Sequence, residues 1–290
     1  MKWIRRTGIG LGILVLVFAT GAVIYVNGIN FDMSQEEIDS IFSQIDYEVQ
    51  STVIDYEGQP IHYMEAGDPE KPVVLFVHGS PGSWDNFARY LGSPTLLEHA
   101  RVIAVTRPGY GQSGEGKYEP SVQKQAGAFL KVLEMRSPGK PAVLFGHSYG
   151  GPVVAKMAMD DPESVASLIL AGASIDPSLE KMKWYQYPAA VPPISWLIPS
   201  FLLVCNLEIL ALEPELEEMM PLWKDITVPV SVIHGDLDDL VPIGNAEFAE
   251  RMLENAPVNM MRYEDMNHFM IWNRRDMVEE EVIRLIQAIK

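Results

Sequence analysis

Cysteine is almost absent: Cys205 is the single one in 290 residues. An internal disulfide is therefore impossible, which suits a reducing compartment and equally an extracytoplasmic protein that does without disulfides. No cysteine-based metal site can be built. The six histidines, His62, His78, His99, His147, His234 and His268, are scattered without metal-ligand spacing, so no metal and no cofactor is expected. Positive charge is also scarce, with 22 Lys and Arg against 39 Asp and Glu, a formal charge of -17. That excess argues against a nucleic-acid partner, which needs a positive surface. It also argues against simple electrostatic attachment to anionic lipid.

One long apolar run is present. Residues 8–26 hold 19 residues and no charge, preceded by Lys2, Arg5 and Arg6. As a helix, at about 1.5 Å per residue, this run approaches the roughly 30 Å hydrocarbon thickness of a bilayer. The basic residues in front of it predict a cytoplasmic N-terminus and an extracytoplasmic remainder. A cleaved signal segment, giving a secreted or periplasmic protein, is the alternative. Its candidate cleavage region, around Ala19, Gly21 and Ala22, lies inside the apolar run and not after it. Residues 1–31 are thus read as an anchor or signal segment. Residues 32–45 are read as a linker helix, opened by a Ser34/Glu37 capping box.

The remaining stretch, about 260 residues, is long enough for one large core. Apolar runs at 72–77, 101–106, 142–145, 165–171 and 228–234 have the continuous character of strands buried on both faces. Helix-compatible segments at 83–91, 121–136, 150–159, 243–253 and 275–289 alternate with them. This pattern predicts an α/β fold with a mostly parallel sheet covered on both sides. In such sheets ligands bind at the carboxyl ends of the strands. The alternation breaks between 173 and 225, where Trp184, Tyr185, Tyr187, Trp196 and several prolines crowd together. A structureless loop of that length is abnormal in a compact domain. The expectation is a small helical cap dividing the core into 46–172 and 226–290.

The chemistry concentrates at Gly146-His147-Ser148-Tyr149-Gly150. Strand, sharp turn and helix is the setting of a nucleophile elbow, with Ser148 lifted off the strand end. A serine hydroxyl needs a base, and the base needs an orienting acid. Downstream, after predicted strands, stand Asp236, Asp238 and Asp239, and then His268. The backbone N–H of Tyr149 is one candidate oxyanion donor. The loop after Val77 supplies the second, and there Ser80 has an N–H that Pro81 lacks. His78 is read as a loop-shaping hydrogen bonder. Trp84, His147, Trp184 and Trp196 are candidate pocket residues, with cap core as the competing reading for the tryptophans of 173–225.

Five segments carry a family resemblance: His78-Gly79-Ser80-Pro81-Gly82, Arg107 to Ser113, Gly146 to Gly151, Gly235 to Pro242, and His268-Phe269. In this order they resemble the α/β-hydrolase superfamily, over about residue 50 to the end. The resemblance implies a triad of Ser148, Asp238 and His268, with Asp238 chosen over its neighbours by the Gly-x-x-Asp-x-x-Val-Pro pattern. The resemblance does not fix the substrate; the leading expectation is an ester hydrolase acting through an acyl-enzyme on a small, partly apolar ester. Amide or carbon–carbon bond hydrolysis with the same residues is the alternative. Epoxide and haloalkane hydrolases of the superfamily carry Asp at the elbow, where this chain has Ser148. A non-catalytic relative would show a broken triad position, and none is broken here.

Overall fold

The computed structural model describes residue 28 and residues 32–289. The apolar run at 8–26 lies outside the described residues. Among the described residues no helix is long and apolar enough to cross a membrane.

Among the described residues eight strands form one sheet, in the order β1-β2-β4-β3-β5-β6-β7-β8. β1 (Gln50–Tyr56) and β2 (Gln59–Ala66) form a hairpin. Its two turn residues, Glu57 and Gly58, both have positive φ, the geometry that follows the twist of paired strands. β2 joins β4 (Arg101–Val105) antiparallel, and every later pairing is parallel. β3 (Val73–Val77), β5 (Ala142–His147), β6 (Val165–Ala171) and β7 (Val230–Gly235) are buried along nearly their whole length, and β8 (Val258–Tyr263) closes the edge.

Successive residues of a strand face opposite sides. Leu75 and Val77 of β3 therefore join the core under α2 (Val122–Arg136) and α3 (Gly150–Asp160), while Val74 and Phe76 join the opposite one. There Phe76 packs on Phe87, Tyr90 and Phe145 with ring centroids about 5 Å apart. The linker helix α1 (Gln35–Phe42) starts at the expected capping box. It lies on the domain: Ile38 and Ile41 are buried, Phe42 stacks on Trp84, and Met33 N–H donates to Asp85.

Between β6 and β7 the chain makes short helical turns at 177–179, 186–189 and 194–197, and then α4 (Ser200–Met219). α4 buries Val204, Glu208, Leu212 and Leu216, one residue per turn along a single face. Glu208 is thus a carboxylate in an otherwise apolar stripe. α5 (Gly244–Met252) and α6 (Arg275–Ala288) complete the layers.

Candidate active site

Parallel register brings the strand ends into line. Val77 pairs with Gly146, His147 with Ala171, and Ala171 with Ile233. The segments following β3, β5, β6 and β7 therefore emerge along one edge of the sheet. Ser148 stands at the first residue past β5 with φ +54°, a left-handed conformation rare for a residue with a side chain. Its N–H donates to Ala171 O at 3.0 Å, and its carbonyl accepts from Gly151 and Ser174. The turn closes only because its flanks lack side chains. A β-carbon on Gly150 would lie 2.2 Å from Val77 O, and one on Gly146 would lie 2.4 Å from Gly150 O.

Asp238 and His268 meet beside this turn. His268 Nδ1–H donates to Asp238 Oδ2 at 2.7 Å. Asp238 Oδ1 accepts from the backbone N–H groups of Leu240 and Val241 at 3.0 and 2.8 Å. Burial alone would raise the Asp238 carboxyl; the His268 hydrogen bond and the backbone donors outweigh it and hold the group below its ordinary value. The rival acids are placed otherwise: Asp236 is paired with Arg262, and Asp239 is exposed. A β-carbon on Gly172 would lie 3.3 Å from both Asp238 Oδ2 and His268 Nδ1. Two consecutive residues, Ala171 and Gly172, thus touch the Ser148 backbone and the Asp238–His268 pair. The Asp238–His268 link is closed in this structure, while Ser148 Oγ forms no hydrogen bond with the described residues. Such a link commonly tightens only with substrate bound.

The two candidate oxyanion donors flank the serine. Gly79 packs so tightly that a β-carbon there would lie 2.8 Å from Ser148 Cβ. This places Gly79 directly beside Ser148. Tyr149 precedes the first turn of α3, where backbone N–H groups have no partner within the helix.

The candidate pocket residues fare differently. Trp84 does line a cavity of about 300 Å³, together with Asp32, Met33, Thr106, Tyr110 and Phe201, but Ser148 is not on its wall. His147 is buried at 3% exposure. Its Nε2–H donates to the His268 carbonyl, and its ring packs on His268 and Trp272. It braces the histidine loop instead of lining open space. Burial, with His268 adding to it, pushes His147 down to about 3 and keeps it neutral. Trp184 and Trp196 are 81% and 77% exposed, so they are neither pocket wall nor core of the 173–225 segment. Leu212, Leu216 and Met219 of the segment's long helix join the core of the sheet domain instead of a core around these tryptophans.

Two residues outside the predicted triad and oxyanion donors stand next to the site. Arg107 and Glu208 form a fully buried ion pair, with Arg107 Nη1 2.6 Å from Glu208 Oε2. The available signal was the position of Glu208, the first acidic residue after 181–207, a stretch with none. Cys205, one turn before it, has its thiol pushed up to about 11 by burial.

These features coincide with a known architecture. A family model described as the alpha/beta hydrolase fold matches residues 72–202. The protein has the α/β-hydrolase fold. The fold is shared with the crystal structure of a candidate lipase from Acinetobacter baumannii AYE, with a TM-score of 0.66 and 22% identity over 90% of this chain and 98% of that one. In sequence, the chain is 29% identical over 132 residues to epoxide hydrolase 1 of Caenorhabditis elegans, covering 44% of this chain and 32% of the relative. It is 32% identical over 117 residues to a 2-hydroxy-6-oxononadienedioate/2-hydroxy-6-oxononatrienedioate hydrolase of a Pseudomonas species, covering 39% and 40%. The matched segments span well under half of these curated relatives.

Proposed function

We propose that the protein is a serine hydrolase that cleaves carboxylic esters through an acyl-enzyme. The observation that carries this reading is the Asp238–His268 hydrogen bond, 2.7 Å, set at the same sheet edge as a serine held at φ +54°. Ser148 Oγ attacks the acyl carbon and its proton passes to His268 Nε2, the ring nitrogen that does not face Asp238. The C=O electron pair moves to the oxygen, which Ser80 N–H and Tyr149 N–H stabilise. On collapse the C–O bond to the alcohol breaks, and His268 returns the proton to the leaving oxygen. Water then repeats the sequence on the acyl-enzyme, releasing the acid and restoring Ser148. Asp238 keeps the imidazole tautomer and stabilises the imidazolium. No metal or cofactor enters these steps.

A second reading, carbon–carbon bond hydrolysis with the same triad, draws on the likeness to the Pseudomonas enzyme. A dioate substrate carries two carboxylates and calls for free cationic donors. The buried cation at this site, Arg107, has every N–H engaged. The ester reading therefore stands first. The apolar run at 8–26, with its preceding basic residues, supports a membrane-anchored protein whose catalytic domain is extracytoplasmic, with signal cleavage as the alternative.

The test is hydrolysis of p-nitrophenyl esters from acetyl to palmitoyl by the full chain. Turnover is expected and should vanish in Ser148→Ala, and the best acyl length sizes the site. Turnover that survives Ser148→Ala contradicts the assignment. A folded protein inactive on every ester moves the reading to carbon–carbon and amide substrates.

A further inference from the structure

The oxyanion loop is held from behind by one guanidinium. Arg107 Nε donates to His78 O and Nη2 donates to Gly79 O, both at 2.9 Å. The other N–H groups go to Gln125 and to both oxygens of Glu208. Arg107 thus spends all five of its donors. His78 adds to the same carbonyl. Its Nε2 accepts from Arg107 N–H at 2.8 Å, so the proton of the neutral ring sits on Nδ1, which donates to Gly79 O at 2.7 Å. Gly79 O therefore receives two donors from the Arg107 side.

In a trans peptide the carbonyl and the following N–H point in opposite directions. Fixing Gly79 O toward Arg107 and His78 turns Ser80 N–H the other way, toward the Ser148 side of the loop. The guanidinium also lies over the Tyr149 ring, with Cζ 4.3 Å from its centroid. One cation therefore contacts the units that carry both oxyanion donors. Glu208 holds that cation from α4, outside the sheet domain, and also accepts from Tyr110 OH and Ser80 Oγ.

We propose that Arg107 is a positioning residue that sets the Gly79–Ser80 peptide for oxyanion binding, and that Glu208 makes this setting depend on α4 being seated on the domain. The proposal rests on the serine-hydrolase reading. Without a buried partner the guanidinium would be an uncompensated charge, so loss of the α4 contact would release the loop. Lysine can keep the charge pair with Glu208, but it has no planar fork to reach His78 O and Gly79 O together.

The experiment compares wild type, Arg107→Lys and Glu208→Gln, each as the full chain. The readouts are kcat and KM on a p-nitrophenyl ester, the affinity for a trifluoromethyl ketone, and the melting temperature. A trifluoromethyl ketone adds the serine and puts its oxygen where the oxyanion forms. Arg107→Lys is expected to lose about 10- to 100-fold in kcat, less than complete loss of a donor costs. KM should stay within about twofold and ketone affinity should fall in parallel with kcat. Glu208→Gln, which keeps volume and one acceptor, should shift in the same direction by less. A folded Arg107→Lys with wild-type kcat and ketone affinity overturns the proposal. So does a loss confined to melting temperature or KM in either variant. If Arg107→Lys does not fold, Glu208→Gln decides by the same split, and a wild-type kcat in it overturns the proposal. A wild type that turns over no ester and does not bind the ketone is a failure of the hydrolase reading itself.

Discussion

At the scale of single residues, His147 is a group beside the site whose protonation the fold decides. His147 ends β5 and is buried with its Nε2–H on the His268 carbonyl. Burial holds it neutral down to about 3, whereas in the unfolded chain it takes up a proton near the ordinary value of about 6.5. The unfolded state therefore binds the extra proton first as pH falls, and stability drops between about 6.5 and about 3. One such group contributes a slope of about 1.4 kcal/mol per pH unit in that window. His147→Gln keeps an N–H donor for the His268 carbonyl and removes the titration. Urea unfolding at several pH values should show the variant losing stability less steeply than wild type below about pH 6.5, by roughly that slope. Parallel curves would contradict the assigned neutral state.

At the scale of elements the strand-to-helix turn is fixed by steric exclusion. Gly150 faces Val77 O across the junction of β3, β5 and α3, where a methyl would lie 2.2 Å from the oxygen. Gly150→Ala must push strand and helix apart and is expected to destabilise by at least about 1–3 kcal/mol, the range for overpacking. Denaturant midpoints at unchanged m-value would measure it, and an unshifted midpoint would show that the turn gives freely. This element was legible beforehand, because a small-residue turn between an apolar run and a helix states its sterics locally. The apposition of Asp238 and His268 was legible only through motif order: Asp238 and its neighbours differ in what they touch, and nothing in residues 235–242 themselves reveals that Asp236 faces Arg262. The surroundings were the least legible. Arg107, Gly79 and Glu208 come from a turn, a loop and a helix more than 25 residues apart in each case, so their apposition is a property of the assembled layers. The tryptophans at 184 and 196 misled because an aromatic cluster looks alike in sequence whether it faces inward or outward.

At the scale of the whole molecule, one sheet edge collects Ser148, the Asp238–His268 pair and the loop at 78–82, the groups the proposed reaction needs, and α4 reaches that loop from outside the sheet layers. The surrounding charge of -17 gives the chain little electrostatic pull toward anionic lipid. The proposed membrane attachment therefore rests on the apolar sequence at 8–26 alone. The full chain is expected to stay with the membrane pellet through alkaline carbonate extraction and to leave it in detergent. Release by carbonate alone would contradict an uncleaved anchor. The central claim, that Ser148 is the activated nucleophile, is tested most directly by reacting the folded full chain with a fluorophosphonate and locating the adduct by mass spectrometry. The account predicts one phosphonyl group per chain, on the peptide bearing Ser148, absent in Ser148→Ala. A folded protein that takes no label, or takes it on another residue with Ser148 unmodified, would contradict it.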